Sequence, residues 1–286
     1  MNDAPAAAGG GPSPTVPATP EAAWSIALLA RRLVGARRGG PAVMAERVSA
    51  TVRSSEEAYR VQSRVDAALW PRASATVWKA GADSRESLPT AAPIASALVH
   101  SSGAVLSAAN PICIVEAEIA YRFAVDLPPR ALPYGSDEVA EAIAAMHVAI
   151  EIVTPRIDDY QTASSLAKLA DHGLNGAFVL GDGIDAWRRI DLRKQPVTLS
   201  IGGKLVERAT GSHALGNPAV LLPWFAAHLG RLPTWDEDGV AGPPRGVRAG
   251  DVVTTGSWTK VAEARAKQTV EVRFDGIGDV SVSFVA

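Results

Sequence analysis

The spacing of apolar residues changes character along the chain. Over residues 20–34, Trp24, Ile26, Leu28, Leu29 and Leu33 recur at helical intervals. Residues 54–69 read as a second helix, with Ser54 or Ser55 as cap, Glu56 and Glu57 in the first turn, and Pro71 as the stop. From Ala75 onward the pattern turns to strands. Residues 76–81 predict a short strand running into a glycine turn, and residues 82–110 a loop-rich stretch. Residues 112–123 predict a strand, residues 136 to about 146 a helix, and residues 149–153 another strand. A hairpin is expected over 195–207, because Gly202-Gly203 supplies the positive φ angles of a tight turn. Asn217-Pro218 marks a helix start, and Pro223 predicts a kink or a later true start. Val270, Val272 and Phe274, then Val280, Val282 and Phe284, alternate on either side of the 275–279 turn and mark one buried face. With helices first, strands dominant later and no internal repeat, the class is α+β.

Acidic residues interrupt two of the apolar strands. Side chains alternate along a strand, so Glu116 and Glu118 share one face, together with Ile112, Ile114 and Ala120. Val115, Ala117, Ile119 and Tyr121 take the other face. Glu151 sits inside Val148-Ala-Ile-Glu-Ile-Val153. Neighbouring carboxylates on a half-buried face repel each other and lose solvation unless something positive lies between them. Three converging carboxylates suit a hard divalent cation such as Mg²⁺ or Mn²⁺. An isolated Glu-x-Glu is more often a solvated outer face; the apolar company of all three glutamates argues for the cation.

Composition narrows the alternatives. A chain of 286 residues can form one large domain or two small ones with a sizeable core. Its net charge of −2 offers no basic field for nucleic acid or an anionic membrane. The single cysteine, Cys113, excludes an intramolecular disulfide, suits a reducing cytoplasm and reads as a small core residue. Residues 1–20, rich in Ala, Gly and Pro, are expected to be a disordered leader without the pattern of a signal peptide. No apolar run is long enough to cross a bilayer, so a soluble, cytoplasmic protein is expected. Five histidines without ligand spacing argue against zinc. The Gly-x-Gly patterns at Gly181 and Gly276 are turn glycines, since neither opens a nucleotide-binding helix.

Several short motifs, in order, resemble the fumarylacetoacetate hydrolase superfamily, and within it the 2-hydroxypentadienoate (2-keto-4-pentenoate) hydratase and 4-oxalocrotonate decarboxylase branch. They are Val77-Trp-Lys-Ala-Gly81, Val115-Glu-Ala-Glu-Ile-Ala120, Ala149-Ile-Glu-Ile-Val153 with Arg156, Leu169-Ala-Asp171 through Asn175-Gly176, Phe178-Val-Leu-Gly181, Gly216-Asn-Pro218 and Gly250-Asp-Val-Val-Thr-Thr-Gly-Ser257. The resemblance implies a mixed β-roll or sandwich core of the fumarylacetoacetate hydrolase C-terminal type with a helical N-terminal cap. The expected division is a leader over 1–20, the cap over 21–72 and a catalytic β-rich domain over 73–286. The resemblance also implies Mg²⁺ or Mn²⁺ on Glu116, Glu118 and Glu151, and Lys79 close to substrate. A homo-oligomer is implied too, as is possible pairing of a hydratase with a decarboxylase.

The implied reaction is hydration of a 2-hydroxy-2,4-dienoate from aromatic catabolism to a 4-hydroxy-2-oxo acid. Decarboxylation of a 2-oxo-hexenedioate at the same site, or a partner-subunit role, is the alternative. Lys79 is the expected proton carrier, its pKa lowered by desolvation and a nearby cation. Asp171, Asn175 and Ser257 are candidate substrate contacts, and Asp171 reads equally as a loop cap. Arg156 could grip a distal carboxylate or pair with a neighbouring acid, and His147 could be a buried polar residue. The chain departs from the branch in two places. Ala91-Ala-Pro-Ile-Ala95 replaces an acidic Pro-Asp-Phe-Gly-like loop, which neither Asp83 nor Glu86 matches, and Asp171-His-Gly-Leu-Asn175 replaces an Asp-Asn-x-Ser loop.

Overall fold

Strand alternation and helical spacing resolve into two sheets and a layer of helices. The computed structural model describes residues 20–71, 75–108, 113–236 and 240–286; the leader through residue 19, the Trp24 side chain and Ile112 lie outside the described residues. The helices α1 (Pro20–Arg37), α2 (Ala45–Thr51) and α3 (Ser55–Leu69) come first. Strands β1 (Val77–Gly81), β2 (Thr90–Ile94), β3 (Val99–Ser101), β4 (Ala104–Ser107) and β5 (Cys113–Phe123) follow. Next come α4 (Ser136–Glu141), β6 (Ile143–Val153), α5 (Ser165–Ala170), β7 (Asn175–Ile184), β8 (Pro196–Ile201), β9 (Lys204–Thr210) and α6 (Leu221–Leu229). The chain ends with β10 (Thr234–Trp235), β11 (Ala241–Gly242), β12 (Val252–Ser257), β13 (Ala262–Ala264), β14 (Thr269–Phe274) and β15 (Gly278–Val285).

An eight-stranded mixed sheet runs β2-β1-β12-β5-β6-β7-β3, with β13 also paired to β5. A five-stranded sheet runs β4-β15-β14-β8-β9. The odd-numbered face of β5 (Val115, Ala117, Ile119, Tyr121) is fully buried in a common apolar core with Val197, Leu199, Val270, Val272, Val280 and Val282 of the smaller sheet. The opposite face of the large sheet is apolar as well. Ala120, Ala149, Phe178, Val77, Ile94 and Val252 form a second, smaller cluster there. The central strands are therefore buried on both sides, and the acidic residues stand on the second face.

The helices pack together through Ile26, Leu29, Leu33, Val48, Tyr59, Val61 and Val65, and onto α5 and Ala92 of β2. Ser54 caps α3 by accepting the Glu57 amide at 3.2 Å. The Tyr59 hydroxyl donates to the Ala91 carbonyl at 3.0 Å, tying α3 to the sheet edge.

Two sequence expectations are corrected. The stretch 82–110 is loop over 82–89, as expected, but within 90–108 it also holds three short strands: β2 pairs antiparallel with β1, β3 parallel with β7, and β4 parallel with β15; residues 109–110 lie outside the described residues. These short, Ala- and Ser-rich segments have weak strand signals, and the free edge of a neighbouring strand makes them strands. The helix expected to run to about Met146 stops at Glu141, and residues 143–147 belong to β6. They lie opposite residues 120–123 of β5, and that pairing overrides the helical preference of an Ala-rich run. Of the two readings of Pro223 the later start holds: Asn217 caps a short 3-10 turn over Pro218–Val220 and α6 begins at Leu221. Pro223 sits in the first turn, where its missing N–H has no intrahelical acceptor to lose.

His228 of α6 stacks on Trp224 with ring centroids 4.8 Å apart and lies 3.0 Å from the Tyr59 hydroxyl. Burial pushes its imidazolium down to about 4, so the fold keeps the ring neutral while the unfolded chain takes up a proton below 6.5. This contribution is whole at neutral pH and is lost as pH falls from 6.5 towards 4. Urea midpoints measured at pH 7 and pH 5 are expected to drop less in His228→Gln than in the unaltered protein.

Candidate active site

Strand register brings the acidic residues together. Glu116 of β5 lies directly opposite Glu151 of β6, and Glu118 follows two residues on along the same face. One carboxylate oxygen from each can be chosen so that all three lie within 4.8 Å of one another. Glu118 and Glu151 are buried and Glu116 is partly exposed. On the neighbouring strand, Thr254 of β12 is in register with Ala120 and donates its Oγ1 proton to Glu118 Oε2. Lys79 of β1 is in turn in register with Thr254. Its Nζ donates to Glu151 Oε1 at 2.7 Å and to the Gly173 carbonyl at 2.9 Å. Asn175 Nδ2 also donates to Glu151 Oε1, at 2.9 Å.

The charges do not balance. Three carboxylates share one ammonium, and buried Glu118 Oε1 and Glu151 Oε2 have no hydrogen-bond partner. Burial, then the Glu151 charge, pushes Glu116 up; the same causes, with Glu116 added, push Glu118 well up. For Lys79, burial pulls the ammonium down, but Glu151, Glu116 and Glu118 outweigh it and the net direction is up. That direction belongs to the metal-free, anionic site, whereas the lowering expected from sequence supposes a cation bound beside the lysine. Two orphaned buried oxygens in an all-oxygen donor set fit a hard divalent cation. Glu116, Glu118 and Glu151 are the residues that could hold it.

Of the other candidates, Asn175 touches the cluster and Ser257 lies across from it, while the rest make contacts of their own. Asp171 is fully buried, accepting from the Arg156 amide at 2.9 Å and from Arg156 Nε at 2.7 Å, with Arg37 Nη2 at 3.6 Å. Arg156 therefore pairs with a neighbouring acid. Asn175 orients Glu151, as above. Ser257 is opposite Glu118 across β5 and β12, but its hydroxyl donates to the Thr259 carbonyl at 2.9 Å. His147 lies in β6 with Nδ1 3.2 Å from the Gly181 carbonyl, and Cys113 is buried at the start of β5. A cavity of about 710 Å³ opens beside Trp78, which alternates to the opposite face of β1 from Lys79, and no carboxylate of the cluster lines it.

Sequence reasoning missed three parts of this arrangement. Thr254 lay within a quoted motif, and only the β12–β5 register shows that it, rather than Ser257, meets Glu118. The other two are the Gly173 carbonyl and the backbone that aims it. His172, Gly173 and Leu174 have φ angles of 54°, 60° and 66°. Left-handed backbone costs about 1–2 kcal/mol per non-glycine residue, and only the glycine is signalled by sequence. A Cβ at Gly173 would stand 3.0 Å from Lys79 Cδ, so besides the strain of its φ a side chain here would push on the lysine.

Two sheets of this topology, carrying helices and an acidic cluster, define an α+β fold of the fumarylacetoacetate hydrolase type. Residues 85–285 match the fumarylacetoacetate (FAA) hydrolase C-terminal family, and the chain belongs to that family. Among curated proteins, the 2-keto-4-pentenoate hydratase of Burkholderia vietnamiensis (strain G4 / LMG 22486) is 34% identical over 170 residues, covering 59% of this chain and 60% of that protein. The match thus spans less than two thirds of the hydratase. Among solved structures, 4-oxalocrotonate decarboxylase from Pseudomonas putida G7, complexed with magnesium and adipate, superposes with a TM-score of 0.75 at 21% identity. That likeness covers 92% of this chain and 98% of the decarboxylase. Fumarylpyruvate hydrolase from Pseudomonas aeruginosa, in complex with Mn²⁺ and pyruvate, gives a TM-score of 0.52 at 15% identity over 73% of this chain and 88% of its own. Among the described residues no helix is long and apolar enough to cross a membrane.

Unbalanced buried charge has a measurable cost. In EDTA, Glu118→Gln is expected to raise stability by about 1 kcal/mol or more, since it relieves repulsion at a desolvated site. Because Glu116 and Glu118 are pushed up, the metal-free protein should lose stability as pH rises above their ordinary value of 4.5. Denaturant midpoints with and without EDTA, from pH 5 to pH 8, check both expectations.

Proposed function

We propose that this chain is a divalent-metal-dependent hydratase acting on a 2-hydroxy-2,4-dienoate of the 2-keto-4-pentenoate type. The observation that carries the proposal is the convergence of Glu116, Glu118 and Glu151, with two partnerless buried oxygens, beside Lys79. Likeness to the Burkholderia hydratase supports the choice of reaction.

Glu116, Glu118 and Glu151 would hold Mg²⁺ or Mn²⁺. Bound there, the cation supplies Lewis acidity that polarises the oxygens at the carboxylate end of the substrate. The residues around it have separate tasks. Thr254 fixes one oxygen of Glu118, and Asn175 and Lys79 fix one of Glu151, which leaves the opposite oxygens free for ligation. Lys79 Nζ is the proton carrier. Donation from the ammonium to C5 of the dienol, with loss of the 2-hydroxyl proton, gives the 2-oxo-3-enoate. The neutral amine then takes a proton from the water that adds at C4, C3 takes from solvent a proton equivalent to the one the 2-hydroxyl released to it, and the 4-hydroxy-2-oxo acid results with Lys79 returned to the ammonium. Ala120, Ala149 and Phe178 form an apolar wall on the same sheet face and exclude competing water.

The same site could serve loss of CO₂ from a 2-oxo-hexenedioate, and the full-length likeness to the decarboxylase fold keeps that reading in view. Assembly into homo-oligomers, alone or with a partner enzyme, and a cytoplasmic role in aromatic catabolism belong to the same proposal. The test follows ultraviolet absorbance of 2-hydroxypenta-2,4-dienoate and of 2-oxohex-3-enedioate with Mg²⁺, Mn²⁺ or EDTA. Dienoate loss that needs metal, is abolished in Glu116→Ala/Glu118→Ala and falls about 100-fold in Lys79→Ala is the expected result. CO₂ release from the diacid alone would replace hydratase by decarboxylase. Absence of Mn²⁺ binding by the unaltered protein would overturn the site.

A further inference from the structure

The left-handed segment beside Lys79 is held by side chains from three separate elements. Asp171 is clasped by Arg156 and approached by Arg37 of α1, and Asn175 is tied to Glu151. Between them His172 has φ 54°, is 3% exposed, and places Nε2 2.8 Å from Asp66 Oδ1 of α3. Its Nδ1 is buried without a partner, so Asp66 is the only hydrogen-bonding anchor of the ring among the described residues. The next residue, Gly173, supplies the carbonyl that accepts from Lys79 Nζ. Two non-glycine residues flanking Gly173, His172 and Leu174, are held in a conformation that L-residues avoid. Such a backbone persists only where its surroundings over-determine it, and the Asp66–His172 bond is the constraint that α3 places on the side chain of a left-handed residue itself.

We propose that His172 is the positioning residue for Lys79: anchored on Asp66, it fixes the left-handed turn that presents the Gly173 carbonyl to the lysine ammonium, so that α3 sets the direction of the lysine side chain. The proposal rests on the reading of Lys79 as the proton carrier. A lysine with one acceptor, Glu151, swings about that contact. A second acceptor, the Gly173 carbonyl, fixes the Nζ position and the direction of its remaining proton. The effect belongs to the chemical step more than to substrate capture, because neither His172 nor Asp66 is among the proposed metal ligands.

The test compares Asp66→Ala, Asp66→Asn and His172→Asn with the unaltered protein, each confirmed as folded by its melting curve. Asparagine tolerates left-handed backbone but is too short to reach Asp66 from position 172, so His172→Asn removes the anchor without adding strain. Asp66→Asn keeps an acceptor for His172 Nε2–H and is the conservative rescue. In Asp66→Ala and His172→Asn, kcat on the dienoate is expected to fall about tenfold with KM within twofold, and the double variant to be no worse than either single one. Asp66→Asn should stay within about threefold of the unaltered rate. Reductive methylation at one pH, mapped to Lys79 by peptide mass spectrometry, gives a readout independent of turnover and should quicken several-fold in the two anchor variants alone. Unchanged methylation in folded Asp66→Ala and His172→Asn would overturn the positioning role whatever the activity. Faster methylation in a protein that turns over no dienoate would keep the positioning role and remove the hydratase reading instead. Additive losses in the double variant would also overturn the proposal, since they would mean that the two residues act separately.

Discussion

Negative charge without a matching counter-charge, held in an apolar sheet face, is the constraint around which this molecule is arranged. Glu118 and Glu151 have no access to solvent, and one ammonium serves three carboxylates. Such an arrangement is tolerable only if its neighbours are fixed. Thr254, Asn175, Lys79 and the Gly173 carbonyl each come from a different part of the chain to meet it. The large sheet supplies the rigid frame, being buried on one side against the smaller sheet and on the other against its own apolar cluster. Function and stability therefore pull in opposite directions at this one place, as is common where a site is preorganised for a ligand of opposite charge.

Much of this was legible in the sequence, for identifiable reasons. Alternation in 113–123 gave the shared face of Glu116 and Glu118 directly, and the apolar run around Glu151 marked it as buried. That Glu151 stands opposite Glu116 is a matter of strand pairing, which the residues alone do not encode locally; family resemblance suggested it. The hairpin at Gly202-Gly203 and the alternating strands at the C-terminus were clear because turn chemistry and period agreed. The strands within 82–108 were not, because Ala, Ser and Pro carry little strand signal and a neighbouring edge decided the outcome. Residues 143–147 went wrong in the same way, with local helical preference yielding to β5.

The contacts around Lys79 lie beyond local patterns altogether. Lys79 meets Thr254 through a parallel pairing that closes a long stretch of chain, and Asp66 meets His172 across the boundary between the helices and the sheet. Neither contact follows from spacing. The departure of Asp171-His-Gly-Leu-Asn175 from the branch pattern, which sequence reading could treat only as a difference, acquires a physical meaning once His172 is seen to reach α3.

The pairing of β5 with β6 carries a further consequence for how the chain finds its fold. Both strands are largely apolar on both faces, with Arg122, His147 and Tyr121 the other polar side chains besides these glutamates, and hydrophobic pattern alone specifies the alignment of such strands weakly. A slip by one residue would turn Glu116 and Glu118 into the dry interior between the two sheets, among Val197, Leu199 and Val272, where no cation or donor could reach them. The acidic residues thus act as a vernier on strand alignment: they are tolerated in one setting, and the adjacent misaligned settings are priced out.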